Sequence, residues 1–165
     1  MADSCKPTGC AGSGGGRVAR KYKYGLVRKV GNTVIGALLR AGLAPRSYVL
    51  LTTAGRRTGL PRTTPIRLLK FDGKEWLVAP YGVVVWVHNA RAAGKVELRH
   101  GRSTRTVSVF ECGADESAPV LREYIRKEPI TRPYFDAKRG DPARAFAAEA
   151  SAHPVFRLAD PPNPS

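Results

Sequence analysis

Three arginines set close together are the residues of this sequence best suited to chemistry. Arg56 and Arg57 stand with Thr58 between Gly55 and Gly59, and Arg62 follows Pro61. Each guanidinium is a planar fork of N–H donors that grips a phosphate or carboxylate with paired hydrogen bonds. Glycine on either side allows backbone N–H groups to converge on the same anion. The spacing is not that of a nucleoside-triphosphate loop, which needs glycine, four residues and then Gly-Lys-Ser/Thr. Here Leu60 follows Gly59, and no helical pattern comes next. The plain alternative is a solvated hairpin tip carrying surface arginines.

Other chemistry finds less support. His88, His100 and His153 show no metal-ligand spacing and no partnered Ser or Cys, so no metal site is expected. Glu111, Asp115 and Glu116 fall at a strand end and a helix start, which is ordinary capping rather than a paired-carboxylate site. Cys5, Cys10 and Cys112 are too few and scattered for a disulfide framework.

The elements that must position the arginines read as a hairpin. Tyr48-Val49-Leu50-Leu51 has the content of a buried strand. After Pro61 a second strand returns, with Ile66 and Leu68 on one face and Pro65, Arg67 and Leu69 on the other. Asp72-Gly73 marks a tight turn into a strand from Glu75 to Pro80. Trp86 to Ala93 reads as a short helix ending at Gly94. Lys95–Arg99 and Ser103–Cys112 form the next hairpin, and Val155–Leu158 a last strand. Asp115 or Ser117 is expected to cap a helix carrying Val120, Leu121, Tyr124 and Ile125 on one face. Asp141-Pro142 is expected to start an Ala-rich helix, with proline at its first position.

About six strands in hairpins with short helices predict an α+β fold, mainly an antiparallel barrel rather than a βαβ winding. Residues 1–16 and 161–165 are expected to be disordered tails, and 45–160 the barrel domain. Between them, residues 17–44 have Val18, Tyr22, Leu26, Val30, Val34 and Leu38 four apart amid basic residues. This basic amphipathic arm is expected either to pack across the barrel or to dock on an anionic membrane surface.

The run from Leu51 to Pro65, LTTAGRRTGLPRTTP, resembles the signature of the deazaflavin-dependent nitroreductases. These are small split β-barrel reductases that use coenzyme F420. The resemblance continues through Trp86-Val87-His88-Asn89 and Lys95-Val96-Glu97-Leu98, and covers about residues 45–158. It implies hydride transfer from reduced F420 to an apolar activated acceptor: a quinone, an enone or unsaturated lipid, or a nitroaromatic. Arg56, Arg57, Thr58, Gly59, Arg62 and Thr63 match the positions that hold the coenzyme's phosphate and tail. Thr64 and Pro65 match positions beside its ring, and Tyr81, Val85, Trp86, Val87, His88 and Asn89 the opposite wall. Tyr134 matches a substrate-facing tyrosine and is the candidate proton donor. Two departures stand out: Tyr81-Gly82-Val83-Val84-Val85 lacks the family's loop lysine, and Pro133 and Phe135 flank Tyr134 where tyrosines are common. An FMN-dependent reductase of the same barrel type, or a non-catalytic lipid- or cofactor-binding protein at a membrane, are the alternatives.

The charge is consistent with an anionic ligand. Lys and Arg number 28 against 13 acids, a net charge of +15, and no acidic residue lies between Asp3 and Asp72. Such a one-sided field concentrates anions. Aromatic residues make up 8% and no nucleic-acid recognition module is present, so nucleic acid is not an expected partner. The N-terminus lacks the apolar run of a signal peptide, which predicts a cytoplasmic protein, peripheral on the membrane's inner face if the arm docks there. The sequence leaves oligomeric state open.

Overall fold

The computed structural model describes Pro45 and residues 47–160. The tails expected at 1–16 and 161–165 and the arm at 17–44 lie outside these residues. Six strands are present: β1 (Tyr48–Ala54), β2 (Pro61–Phe71), β3 (Lys74–Val78), β4 (Lys95–His100), β5 (Ser103–Glu111) and β6 (Val155–Ala159). They close into an antiparallel barrel in the order β1-β2-β3-β6-β5-β4, with β4 pairing back onto β1. Helix α1 (Val85–Ala93) lies between β3 and β4. Between β5 and β6 come α2 (Ala114–Lys127), a 3-10 helix (Pro129–Tyr134) and the short α3 (Ala143–Ala147).

Strand alternation divides the apolar residues into two cores. Val49, Leu51, Ile66, Leu68, Leu77, Val96, Leu98, Val107, Val109, Phe156 and Leu158 fill the barrel, and Val87 and Ala90 of α1 close the same core. Leu69, Trp76 and Val78 point outward yet are buried, because α2 lays Val120, Leu121, Tyr124 and Ile125 over them. Phe146 and Val155 complete this second core. The outward face of β2 is therefore covered at its far end and open near the arginine turn: Thr63 is exposed and Pro65 half-buried.

Two expectations about helix starts are corrected. The N-cap of α2 is Gly113, not Asp115 or Ser117, which both lie inside the helix. Pro142 is itself the N-cap of α3, and the Ala-rich stretch holds only five helical residues before a run of turns. The cap of the first helix lies two residues before Asp115 and that of the second one residue after the expected position, and no side chain caps either helix.

Candidate functional site

The β1–β2 turn is a closed loop of main-chain bonds. Gly55 N–H donates to Leu60 O at 2.9 Å, while Gly55 O accepts from Gly59 N at 2.7 Å and Thr58 N at 3.2 Å. Leu60 N donates to Thr58 Oγ1 at 3.4 Å. The two glycines are required by different constraints. A Cβ on Gly55 would stand 3.0 Å from Thr58 Oγ1 and 3.1 Å from Leu60 O, inside the loop itself. Gly59 has φ of +66°, the left-handed region that side chains resist.

One consequence corrects the sequence reading. The turn's N–H groups do not converge on an external anion, because its own carbonyls and side chains take most of them. Among the described residues only Arg57 N–H of the turn finds no acceptor. An anion here is left with the side chains and the Arg57 N–H.

Helix α1 fixes the loop from below. Asn89 is buried, and both ends of its amide are used. Its Oδ1 accepts Arg56 N–H at 3.2 Å, and its Nδ2 donates to Thr53 Oγ1 at 3.2 Å. Thr53, itself buried at the end of β1, also donates weakly to Arg62 O at 3.5 Å. One amide thus ties helix, strand end and turn together. It is not a helix cap: the N-cap of α1 is Val84.

The helix also sorts the residues expected to form a wall. Successive positions on a helix lie 100° apart. The side chains of Val87 and Asn89 face the barrel and are buried; Val85 and His88 are exposed. Trp86 is half-buried, tilted against Phe156 with ring centroids 5.6 Å apart. A similar alternation separates Thr64 from Pro65. Thr64 shares the inward face with Ile66, whereas Pro65 shares the outward one with Thr63 and Arg67. Their side chains point to opposite faces of the sheet.

Arg56, Arg57, Thr58, Arg62 and Thr63 are all exposed, and no carboxylate among the described residues pairs with the three arginines. By contrast Arg67, Arg91, Arg105, Arg126 and Arg157 each hold a glutamate. Thr63 Oγ1 lies 2.9 Å from Thr52 Oγ1 across the hairpin. Leu60, Val83 and Val85 add exposed apolar surface at the turn and at the entry to α1. Tyr134, at the end of the 3-10 helix, is half-buried and meets Tyr81 edge-on at 4.9 Å.

The family model for F420H(2)-dependent quinone reductases matches residues 23–137. The chain belongs to that family. Solved structures agree on the fold. An F420-H2 dependent reductase (FDR-A) is 22% identical with a TM-score of 0.51, over 69% of this chain and 95% of the other. A domain-swapped dimer is 21% identical with a TM-score of 0.53, over 81% of this chain and 96% of the other. The protein Atu2129 of Agrobacterium tumefaciens, of unknown function, is 17% identical with a TM-score of 0.51, over 76% and 53%.

This F420H(2)-dependent quinone reductase family membership makes the protein an oxidoreductase with F420 as its implied coenzyme; nothing favours the FMN alternative. The residues fit an acidic coenzyme: three unpaired guanidiniums stand around a turn locked at its base. Sequence reasoning missed the work of Asn89, which spacing alone could not separate from a wall contact. It also missed the ion pair of Arg67 with Glu128, whose partners are 61 positions apart.

Proposed function

We propose that this protein transfers a hydride from reduced F420 to a quinone-type apolar acceptor, with the arginine turn as its coenzyme anchor. The observation that carries the reading is the set of Arg56, Arg57 and Arg62, exposed and without carboxylate partners, on a turn that Asn89 holds in place. Their forks grip the phosphate and the carboxylates of the coenzyme's tail. When bound, F420 supplies the hydride, and the chain needs only to bind, orient and shield it.

Thr63 and Pro65 lie on the outward face of β2 leading away from the turn, so the ring is placed along that face. The apolar surface of Leu60, Val83 and Val85 favours an acceptor with little charge. Tyr134, half-buried against Tyr81, serves as the proton donor. Nitroaromatic and enone acceptors fall within the same chemistry, but the family's own substrate class favours quinones.

Equilibrium titration of the protein with F420 and with FMN tests the reading, following the bound chromophore. F420 should bind at least about tenfold more tightly, a difference of about 1.4 kcal/mol, and more weakly as salt is raised. Equal affinity for the two, or none for F420, contradicts it.

A further inference from the structure

Arg67 lies two residues beyond Pro65 on the same outward face of β2, about 7 Å further from the turn. It is held by one nitrogen, unlike Arg91 and Arg126. Arg91 and Arg126 grip their glutamates through the Nε and Nη2 edge, at 2.6 to 2.7 Å. Arg67 reaches Glu128 Oε1 through Nη1 alone. That oxygen also accepts the Tyr48 hydroxyl at 2.8 Å, and the Tyr48 ring lies under the guanidinium at 5.6 Å. The Arg67 Nε is buried with no acceptor, and no described residue accepts from Nη2. Among the described residues Nη2 therefore has no acceptor, whereas Nε is closed off from outside atoms.

Its surroundings connect it with the acceptor end of the site. Burial, and then the nearness of Glu128, Tyr81 and Tyr48, push the Tyr124 phenol above its ordinary range, so these groups share one cluster with Arg67. Tyr81 in turn meets Tyr134. The Arg67 side chain is 17% exposed, and with Nε closed off a ligand atom meets the guanidinium at Nη2 while Glu128 stays in place.

We propose that Nη2 of Arg67 binds a carbonyl oxygen of the acceptor and makes the site selective for neutral quinones over carboxylate-bearing ones. A guanidinium has only donors to offer, so what completes it must be an oxygen or another acceptor atom. Glu128 already neutralises the charge. A carboxylate on the ligand would be a second anion on one guanidinium, a few ångströms from the first, in a half-buried place where like charges repel strongly. A neutral carbonyl meets no such repulsion.

The reaction uses the same contact. Delivery of a hydride oxidises the donor by two electrons and leaves one quinone oxygen as an anion. A proton from Tyr134, replaced from water, completes the neutral hydroquinone. Arg67 stays protonated throughout and keeps its N–H on that oxygen, and the Tyr134 proton removes the negative charge that Glu128 opposes.

The inference rests on the reductase reading, and the test separates the two. Arg67→Met, Arg67→Lys and Glu128→Gln are titrated with F420, then assayed with 2-methyl-1,4-naphthoquinone and with 1,4-naphthoquinone-2-carboxylate. Binding of the methylnaphthoquinone to protein saturated with oxidised F420 is measured separately. F420 affinity should stay within about twofold in all variants, while Arg67→Met weakens methylnaphthoquinone binding and raises its KM about tenfold, with kcat also lowered. Arg67→Lys should recover urea stability but not KM, because an ammonium held by Glu128 offers no second nitrogen to the acceptor. Glu128→Gln should shift the preference about tenfold toward the carboxylate-bearing quinone.

If Arg67→Met loses stability but keeps its quinone affinity, KM and kcat, Arg67 is only a clamp for the Pro129–Tyr134 segment and the inference is overturned. Should that variant not fold, an unchanged preference in Glu128→Gln overturns it equally. A wild-type protein that fails to bind F420 overturns the reductase reading and this inference with it.

Discussion

Asn89→Ala isolates the locking of the turn. Asn89 is 2% exposed and makes two bonds, to Arg56 N and to Thr53 Oγ1. Removing it leaves Arg56 N–H partly open to water, a loss of about 0.5–1 kcal/mol, and strips a partner from the buried Thr53 hydroxyl, worth about 1 kcal/mol. The small void adds to this, for a total of about 2–3 kcal/mol. The functional effect follows from the geometry rather than from a lost ligand contact. A turn released from α1 samples arrangements in which Arg56 and Arg57 no longer point together, so F420 affinity should fall about tenfold or more. Asn89→Asp should restore part of it, since one carboxylate oxygen can accept Arg56 N–H while the Thr53 hydroxyl turns to donate to the other. Urea unfolding and F420 titration of both variants give the two quantities. Lower stability with unchanged F420 affinity in Asn89→Ala would refute the reasoning, reducing Asn89 to packing.

The other predictions concern binding, the proton and pH. Arg56→Ala with Arg57→Ala should weaken F420 by about tenfold to a hundredfold per arginine, from about 1.5–3 kcal/mol per charge-assisted contact. Urea stability should hardly change, since neither arginine has an ion-pair partner among the described residues; a titration and a melt check both. Tyr134→Phe should cut turnover about a hundredfold with F420 affinity intact, whereas a loss below about threefold makes water the acid. Burial holds His153 below the usual histidine range, against the opposing pull of Glu149 at 3.3 Å. The unfolded chain therefore takes up the proton first, so this stability is complete above about pH 6.5 and is lost as pH falls through the folded value. His153→Gln should flatten the rise of urea stability between about pH 5 and 7, and an unchanged slope would rule out His153 as its source.

The barrel was legible because its strands alternate and its turns carry their own markers. Val107 and Val109 are buried between exposed or half-buried neighbours, and Asp72-Gly73 closes the β2–β3 hairpin. The anion-binding turn was legible for the same reason: glycine and arginine types at fixed offsets state both a backbone shape and a charge. What the sequence could not convey was where each polar group's hydrogen bonds go. Gly55 and Gly59 suggested free amides, yet the loop's own bonds use most of them. Val87 and Asn89 lay within a matching motif, but helix rotation turns them into the barrel. The Tyr48–Arg67–Glu128 cluster joins residues up to 80 positions apart, and no local pattern encodes such a meeting.

The central claim is that reduced F420 docks on the Arg56–Arg62 turn and hands its hydride to a quinone. An anaerobic single-turnover experiment tests it directly. Protein loaded with reduced F420 is mixed with 2-methyl-1,4-naphthoquinone, and oxidation of the coenzyme is followed in wild type and in the Arg56→Ala, Arg57→Ala double variant. The account predicts oxidation far faster than in a mixture without protein, slowed in the double variant at low coenzyme and recovered by excess coenzyme. Oxidation no faster than without protein, or a double variant equal to wild type at low coenzyme, would contradict it.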